Sequence, residues 1–157
     1  MQKISTCLWF DGQAEEAANF YVSVFKNARI VNTTRYLEGL PQPKGSVMTV
    51  RFILDGQEFV ALNGGAQFTF SPAISFVVYC ETQEEVDGMW EKLVAGGAEN
   101  QCGWLQDKFG VSWQIVPSVL IEMLSAVDDV ASQRAIAAML HMKKLDISVL
   151  ERAYKNA

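Results

Sequence analysis

The residues able to do chemistry in this 157-residue sequence are few and scattered. Glu58 is the one acidic residue inside its β-rich segments, so general acid-base work falls to it, with Gln114 to orient a substrate. A plain exposed hairpin residue beside Gly56 is the simpler assignment, and a lone carboxylate does not hold a divalent ion. Cys7, Cys80 and Cys102 are an odd number without metal-ligand spacing, and Cys7 and Cys80 lie inside strand-like segments. They read as reduced core thiols. His141, the only histidine, falls among the C-terminal helices and reads as a surface residue on an exposed helix face.

The elements that position these residues repeat. Lys108–Pro117 predicts a strand begun by Gly110 and stopped by Pro117, with Ser112, Gln114 and Val116 on one side and Val111, Trp113 and Ile115 on the other. Asp55–Asn63 has the same form: with Gly56 laid on Gly110, Phe59 falls on Trp113 and Val60 on Gln114. Upstream of each lies a strand and then a helix. Ile4–Phe10 predicts a strand, and Gln13–Phe25 a helix with Ala14, Ala17, Ala18, Tyr21 and Phe25 along its apolar stripe. Ala73–Cys80 predicts the second strand. Thr82 and Glu85 form a capping box for a helix ended by Gly96-Gly97.

The correspondence runs through both copies. Ile4, Ser5 and Thr6 recur as Ile74, Ser75 and Phe76, and Ala17, Phe20, Tyr21, Val24 and Phe25 as Val86, Met89, Trp90, Leu93 and Val94. Between helix and final strand the first copy adds strands at Ala28–Tyr36 and Val47–Leu54, then a hairpin turn at Asp55-Gly56. Beyond Pro117 the pattern is helical: Ser118–Ala126, Asp129–Met142 and Asp146–Tyr154, with Asp146 as N-cap. Such helices must cover a sheet edge or reach a second subunit.

Bulk properties narrow the function. A net charge of −5, with 13 scattered basic residues, argues against nucleic acid; the short basic run at His141–Leu145 does not alter this. No apolar run approaches the ~20 residues of a membrane span, and MQKISTCLWFDG is not built as a signal peptide, so the cytoplasm is the expected compartment. The length suits one domain or two small modules sharing a core.

Two βαβββ-like units resemble the vicinal oxygen chelate superfamily, with the glyoxalase and bleomycin-resistance fold, also that of dihydroxybiphenyl dioxygenase. The segments LWFDGQAEEAANFYVSVF, FVALNGG, FSPAISFVVYCETQEEVDGMWEKL, CGWLQDKFGVSWQIVP and AMLHMKKLDISVLERAY are similar to PhnB-like proteins often labelled 3-demethylubiquinone-9 3-methyltransferase. The resemblance implies an α+β fold. Residues 1–117 would form paired modules (about 1–63 and 73–117) curving around a cleft, and 118–157 a helical extension, assembled as a homodimer. In metal-dependent members, His and Glu project into the cleft from the first and last strand of each module. The matching positions here are Ser5, Val60, Ser75 and Gln114, none of them His or carboxylate, so no metal and no cofactor are expected.

The leading expectation is a small-molecule ligand in a metal-free cleft lined by Ser5, Cys7, Trp9, Glu58, Val60, Ser75, Val77, Tyr79, Ser112 and Gln114. Trp9 and Tyr79 would stack on a flat ligand or fill the core. One alternative is an enzyme, a transferase acting on a quinone-like aromatic or a lyase or dioxygenase. Another is a structural dimer with its cleft filled by side chains. For methyl transfer, Asn63-Gly64-Gly65 follows a strand as a nucleotide-type turn would, yet QFTFSP leads on to another strand and not into a helix.

Overall fold

A computed structural model describes residues 2–125 and 129–157. Contacts divide the chain into two units, Met1–Phe70 and Ser71–Ala157. Each carries a four-stranded sheet of the same connectivity.

In the first unit the order is β1 (Thr6–Phe10), α1 (Ala14–Val24), β2 (Ala28–Arg35), β3 (Val47–Leu54) and β4 (Gln57–Asn63). Across the sheet the order is β1-β4-β3-β2, with β1 parallel to β4 and the other pairs antiparallel. Alternation sends Leu8, Phe10, Val50, Phe52, Leu54, Phe59 and Ala61 to one face, and all are buried. Helix α1 lies on that face. Its Ala14, Ala17 and Ala18 are fully buried, which allows close approach, while Tyr21 stacks on Phe52 at 6.2 Å and Phe52 on Phe59 at 5.3 Å.

The end of β4 holds the start of α1. Gln13, the N-cap residue, makes no side-chain cap bond, and Ala14 N instead donates to Asn63 Oδ1 at 2.9 Å. The β3–β4 hairpin turns at Asp55 and Gly56, both with positive φ (46° and 83°), as its Asp-Gly sequence predicts.

In the second unit β5 (Ser75–Cys80), α2 (Gln83–Val94), β6 (Ala98–Glu99), β7 (Trp104–Gln106) and β8 (Ser112–Pro117) repeat that arrangement in the order β5-β8-β7-β6. Val86, Trp90 and Leu93 of α2 are buried, as are Leu105, Val111, Trp113 and Ile115. Thr82 Oγ1 accepts from Glu85 N at 3.2 Å, and Glu85 Oε2 accepts from Glu81 N at 3.0 Å, so the capping box closes one residue earlier than its standard form. Gly97 is sterically required: a Cβ there would meet Asp107 Cα at 2.9 Å and overlap the carbonyl of Gln106.

Helices α3 (Ser118–Ser125), α4 (Asp129–Met139) and α5 (Ile147–Lys155) belong to this unit. Leu120, Met123, Ala135, Leu145 and Leu150 form one buried cluster with Val116 of β8. The turn before α5 is sewn to the unit. Cys102 N and Gly103 N donate to Met142 O and Lys143 O, both at 2.8 Å, and the Gln83 side chain bonds Leu145 O and Ile147 N. Asp146 caps α5 through Val149 N at 3.3 Å.

Several expectations shift. β1 begins at Thr6, leaving Ile4 and Ser5 exposed before it, and Phe25 follows α1 as its C-cap. Helix α4 stops at Met139, so His141 lies in an exposed turn and not on a helix face. Ala126, expected to end α3, lies outside the described residues. Cys80 is buried, its thiol pushed up to about 11 mainly by desolvation. Cys7, expected in the core, is exposed because its neighbours Leu8 and Phe10 take the helix side of an edge strand.

Candidate binding faces

Pairing register fixes which residues share the face of each sheet turned away from its helix. In the first unit Cys7 lies beside Val60, Val60 beside Arg51 and Arg51 beside Asn32; Trp9, Leu62, Thr49 and Thr34 form the next row. Glu58 pairs with Ile53 on the same face. Thus Cys7, Trp9, Glu58 and Val60 share one face of this sheet. Ser5 stands outside the strand.

Glu58 is not the exposed hairpin residue that its position beside Gly56 suggested. It is 7 % exposed, and its Oε1 accepts from Arg51 Nε at 3.1 Å and from Arg51 Nη2. Gln2 completes the clasp: its N donates to Glu58 Oε2 at 3.4 Å, and its Oε1 accepts from Glu58 N at 3.1 Å. The Arg51 hydrogen bonds, ahead of the opposing effect of burial, hold the Glu58 carboxyl below its ordinary value. A carboxylate held charged in this way is a weaker base, which turns its role toward orienting Arg51.

Arg51 was missed in the sequence. Its signal was present: in VMTVRFIL, Val50, Phe52 and Leu54 are buried, so the one charged residue of the strand has to lie on the opposite face.

Trp9 is fixed by its own module. Its Nε1 donates to Gly65 O at 2.8 Å, Phe68 meets the ring edge-on at 4.9 Å, and Gly64 lies so close that a Cβ would stand 2.5 Å from Cε2. The Asn63-Gly64-Gly65 segment therefore wraps the indole, and no helix starts there. Beside it lies a hollow of about 270 Å³ whose wall includes Asp11, Glu15, Tyr36, Gln42 and Asn63. Tyr36 Oη donates to Asn63 O there, while Asn63 Nδ2 donates to Val47 O at 3.1 Å. This hollow was also missed, since only folding gathers residues so distant in sequence.

In the second unit Ser75 pairs with Ser112, Val77 with Gln114 and Tyr79 with Val116, and Gln114 also faces Trp104. Gln114 Nε2 donates to Ser75 Oγ at 2.9 Å. Val77 and Tyr79 are 40 % and 60 % exposed, so neither fills a core within this unit. Ser112 is buried. Asp107, which no sequence pattern singled out, accepts from Trp113 Nε1 at 2.8 Å and from the backbone of Phe109 and Val111, and so braces β8.

The positions that the resemblance would assign to metal ligands carry Ser5 and Val60 in the first unit and Ser75 and Gln114 in the second. Val60 offers no donor atom, and Ser75 and Gln114 already bond each other. Neither pair supplies the imidazole or carboxylate donors that a divalent ion takes. Among the described residues no three His, Cys, Asp or Glu side chains are grouped as metal ligands, and no helix is long and apolar enough to cross a membrane.

Residues 2–116 match the family model described as 3-demethylubiquinone-9 3-methyltransferase. Among solved structures, a PhnB protein from Bacillus cereus carrying that same label is 44 % identical, with a TM-score of 0.68 over 74 % of this chain and 99 % of its own. A Pseudomonas aeruginosa protein at 17 % identity has a TM-score of 0.61 over 74 % of this chain and 98 % of its own. The fosfomycin resistance protein FosX from Listeria monocytogenes is 16 % identical, with a TM-score of 0.56 over 80 % and 98 %. At such identities these last two report the fold alone, that of glyoxalase and bleomycin-resistance proteins. No curated protein matches the sequence.

Proposed function

We propose, from the premise that the chain belongs to the 3-demethylubiquinone-9 3-methyltransferase family, that it binds a small apolar or aromatic molecule on the sheet faces left open by its helices, without a resident metal. One observation carries this reading. Each sheet is sealed by a helix on one side, while the other presents apolar side chains and a few fixed polar groups: Cys7, Trp9, Val60 and Arg51 in the first unit, Val77, Tyr79 and Gln114 in the second. Apolar walls with sparse, pre-set hydrogen-bonding groups are the usual makeup of ligand sites. The lack of imidazole and carboxylate at Ser5 and Val60 in the first unit, and at Ser75 and Gln114 in the second, supports binding without metal.

On this reading 1–117 provide the binding surfaces, 118–157 brace the second module, and the protein works in the cytoplasm as a homodimer. Exposed Ile74, beside edge strand β5, suits a second copy. The net charge of −5 disfavours nucleic acid.

The family label favours a second reading, transfer of a methyl group to a quinol-like aromatic. Glu58 would then position Arg51 rather than take a proton.

A thermal-shift screen with quinols, simple aromatics and S-adenosylmethionine, with and without divalent ions, tests both. A ligand at a hundred times its Kd stabilises by about 2.7 kcal/mol, a rise of several degrees in Tm. Shifts from aromatics, unchanged by chelator, support the first reading. A requirement for metal refutes it, and a shift with S-adenosylmethionine supports the second.

A further inference from the structure

We infer that the ligand of the first module carries an anionic head, a carboxylate or phenolate, recognised by Arg51 while its flat apolar body lies along Val60, Cys7 and Leu62. This rests on the binding reading above and adds the charge of the ligand.

Three observations carry it. First, Arg51 sits mid-sheet in the row Cys7–Val60–Arg51–Asn32, so its guanidinium rises beside apolar wall. Its side chain keeps 27 % exposure, against 8 % for Glu58. Second, the clasp is one-sided. Glu58 takes Nε and Nη2 on a single oxygen, and among the described residues no acceptor is supplied to Nη1. A guanidinium has five N–H donors in a planar fork, so the edge that Glu58 leaves unused is pre-aimed for an oxyanion. Third, Glu58 does not leave the face neutral. Arg29 pairs with Ile53 and so lies on the same side, exposed; with Arg51 it sets two guanidiniums against one carboxylate, in a chain whose net charge is −5.

Glu58 acts here as a splint. It holds Arg51 by the Nε edge against the sheet, reducing the rotamer freedom a long side chain would otherwise lose on binding. Its negative charge also moderates affinity for anions.

The test compares matched probes, benzoate and naphthoate against benzamide and naphthamide. Affinity is measured by NMR titration, following the side-chain N–H signals of Arg51 Nε and Trp9 Nε1. The wild type is expected to bind each carboxylate at least tenfold more tightly than its amide, as a charge-assisted hydrogen bond of about 1.5–3 kcal/mol gives. The preference should weaken with added salt, and the Arg51 signal should shift only with carboxylates. Glu58→Gln is expected to raise the ratio of carboxylate to amide affinity severalfold, which a merely structural ion pair would not do.

Arg51→Gln alone leaves Glu58 buried and unpaired and risks unfolding, so the Arg51→Gln/Glu58→Gln double variant serves as the uncharged control. It should lose the carboxylate preference, binding each acid and its amide alike. Equal binding of acid and amide by the wild type, or a preference that survives in the double variant, overturns the inference and leaves the binding reading standing. Binding of neither probe class overturns both.

Discussion

Gly64→Ala is the substitution that most directly tests the geometry of the first module. Gly64 lacks a left-handed φ, so backbone strain plays no part, and the effect is purely steric. The added Cβ would stand 2.5 Å from Cε2 of Trp9 and overlap Cζ2 and Cη2. The indole cannot yield freely, being held by its bond to Gly65 O and by the edge contact with Phe68. Overpacking of this kind costs about 1–3 kcal/mol, and losing the indole hydrogen bond about 0.5–1.5 kcal/mol more. The sum of roughly 1.5–4.5 kcal/mol corresponds to a fall in Tm of roughly 3–18 °C for a chain of this size. Denaturant unfolding of the wild type, the two single variants and the Gly64→Ala/Trp9→Leu pair forms a double-mutant cycle. In the Trp9→Leu background the alanine should cost less than about 0.5 kcal/mol, since the ring it strikes is gone. An equal cost in both backgrounds would refute the reasoning, because the penalty would then not come from Trp9.

Other expectations follow from single contacts. Gly97→Ala drives a methyl into the Gln106–Asp107 backbone and should release the Ala98–Gln106 pairing, seen as fast hydrogen exchange confined to β6 and β7. Phe52→Ala, emptying the centre of the first core, should cost about 3–5 kcal/mol in denaturant unfolding. For Glu58 the folded carboxyl lies below its unfolded value, so the stability it adds is present above the unfolded pKa and is lost as pH falls through the folded one. Glu58→Gln should therefore flatten the acid limb of the Tm–pH curve below the ordinary carboxylate value. With a thiol reagent at pH 8, Cys7 should label in the native protein, while Cys80, buried and shifted to about 11, should label only on unfolding.

The Gly64 contact also marks a limit of sequence reading. NGG after a strand was readable as a tight link, but nothing local says that it closes over Trp9, a residue more than fifty positions earlier. The same limit hid β6 and β7, two and three residues long, too short to show a period. Cys7 could be placed in a strand from sequence. That the strand lies at the sheet edge, with Cys7 facing outward, depended on pairing with β4.

What the sequence determined by itself was everything governed by local period and local sterics: the helical stripes of α1 and α2, the longer alternating strands, the Asp55-Gly56 turn, the Thr82 and Asp146 caps, and through their ordered recurrence the duplicated strand–helix–strand frame. These depend on neighbours within a turn or two, so the chain states them directly. Only the tertiary structure decided the partners: Glu58 clasped by Arg51 and Gln2, the indole of Trp9 against Gly64, and Val116 beneath helices that begin after it in the chain. Such contacts depend on how strands align and what packs on which face, and sequence spacing does not encode that.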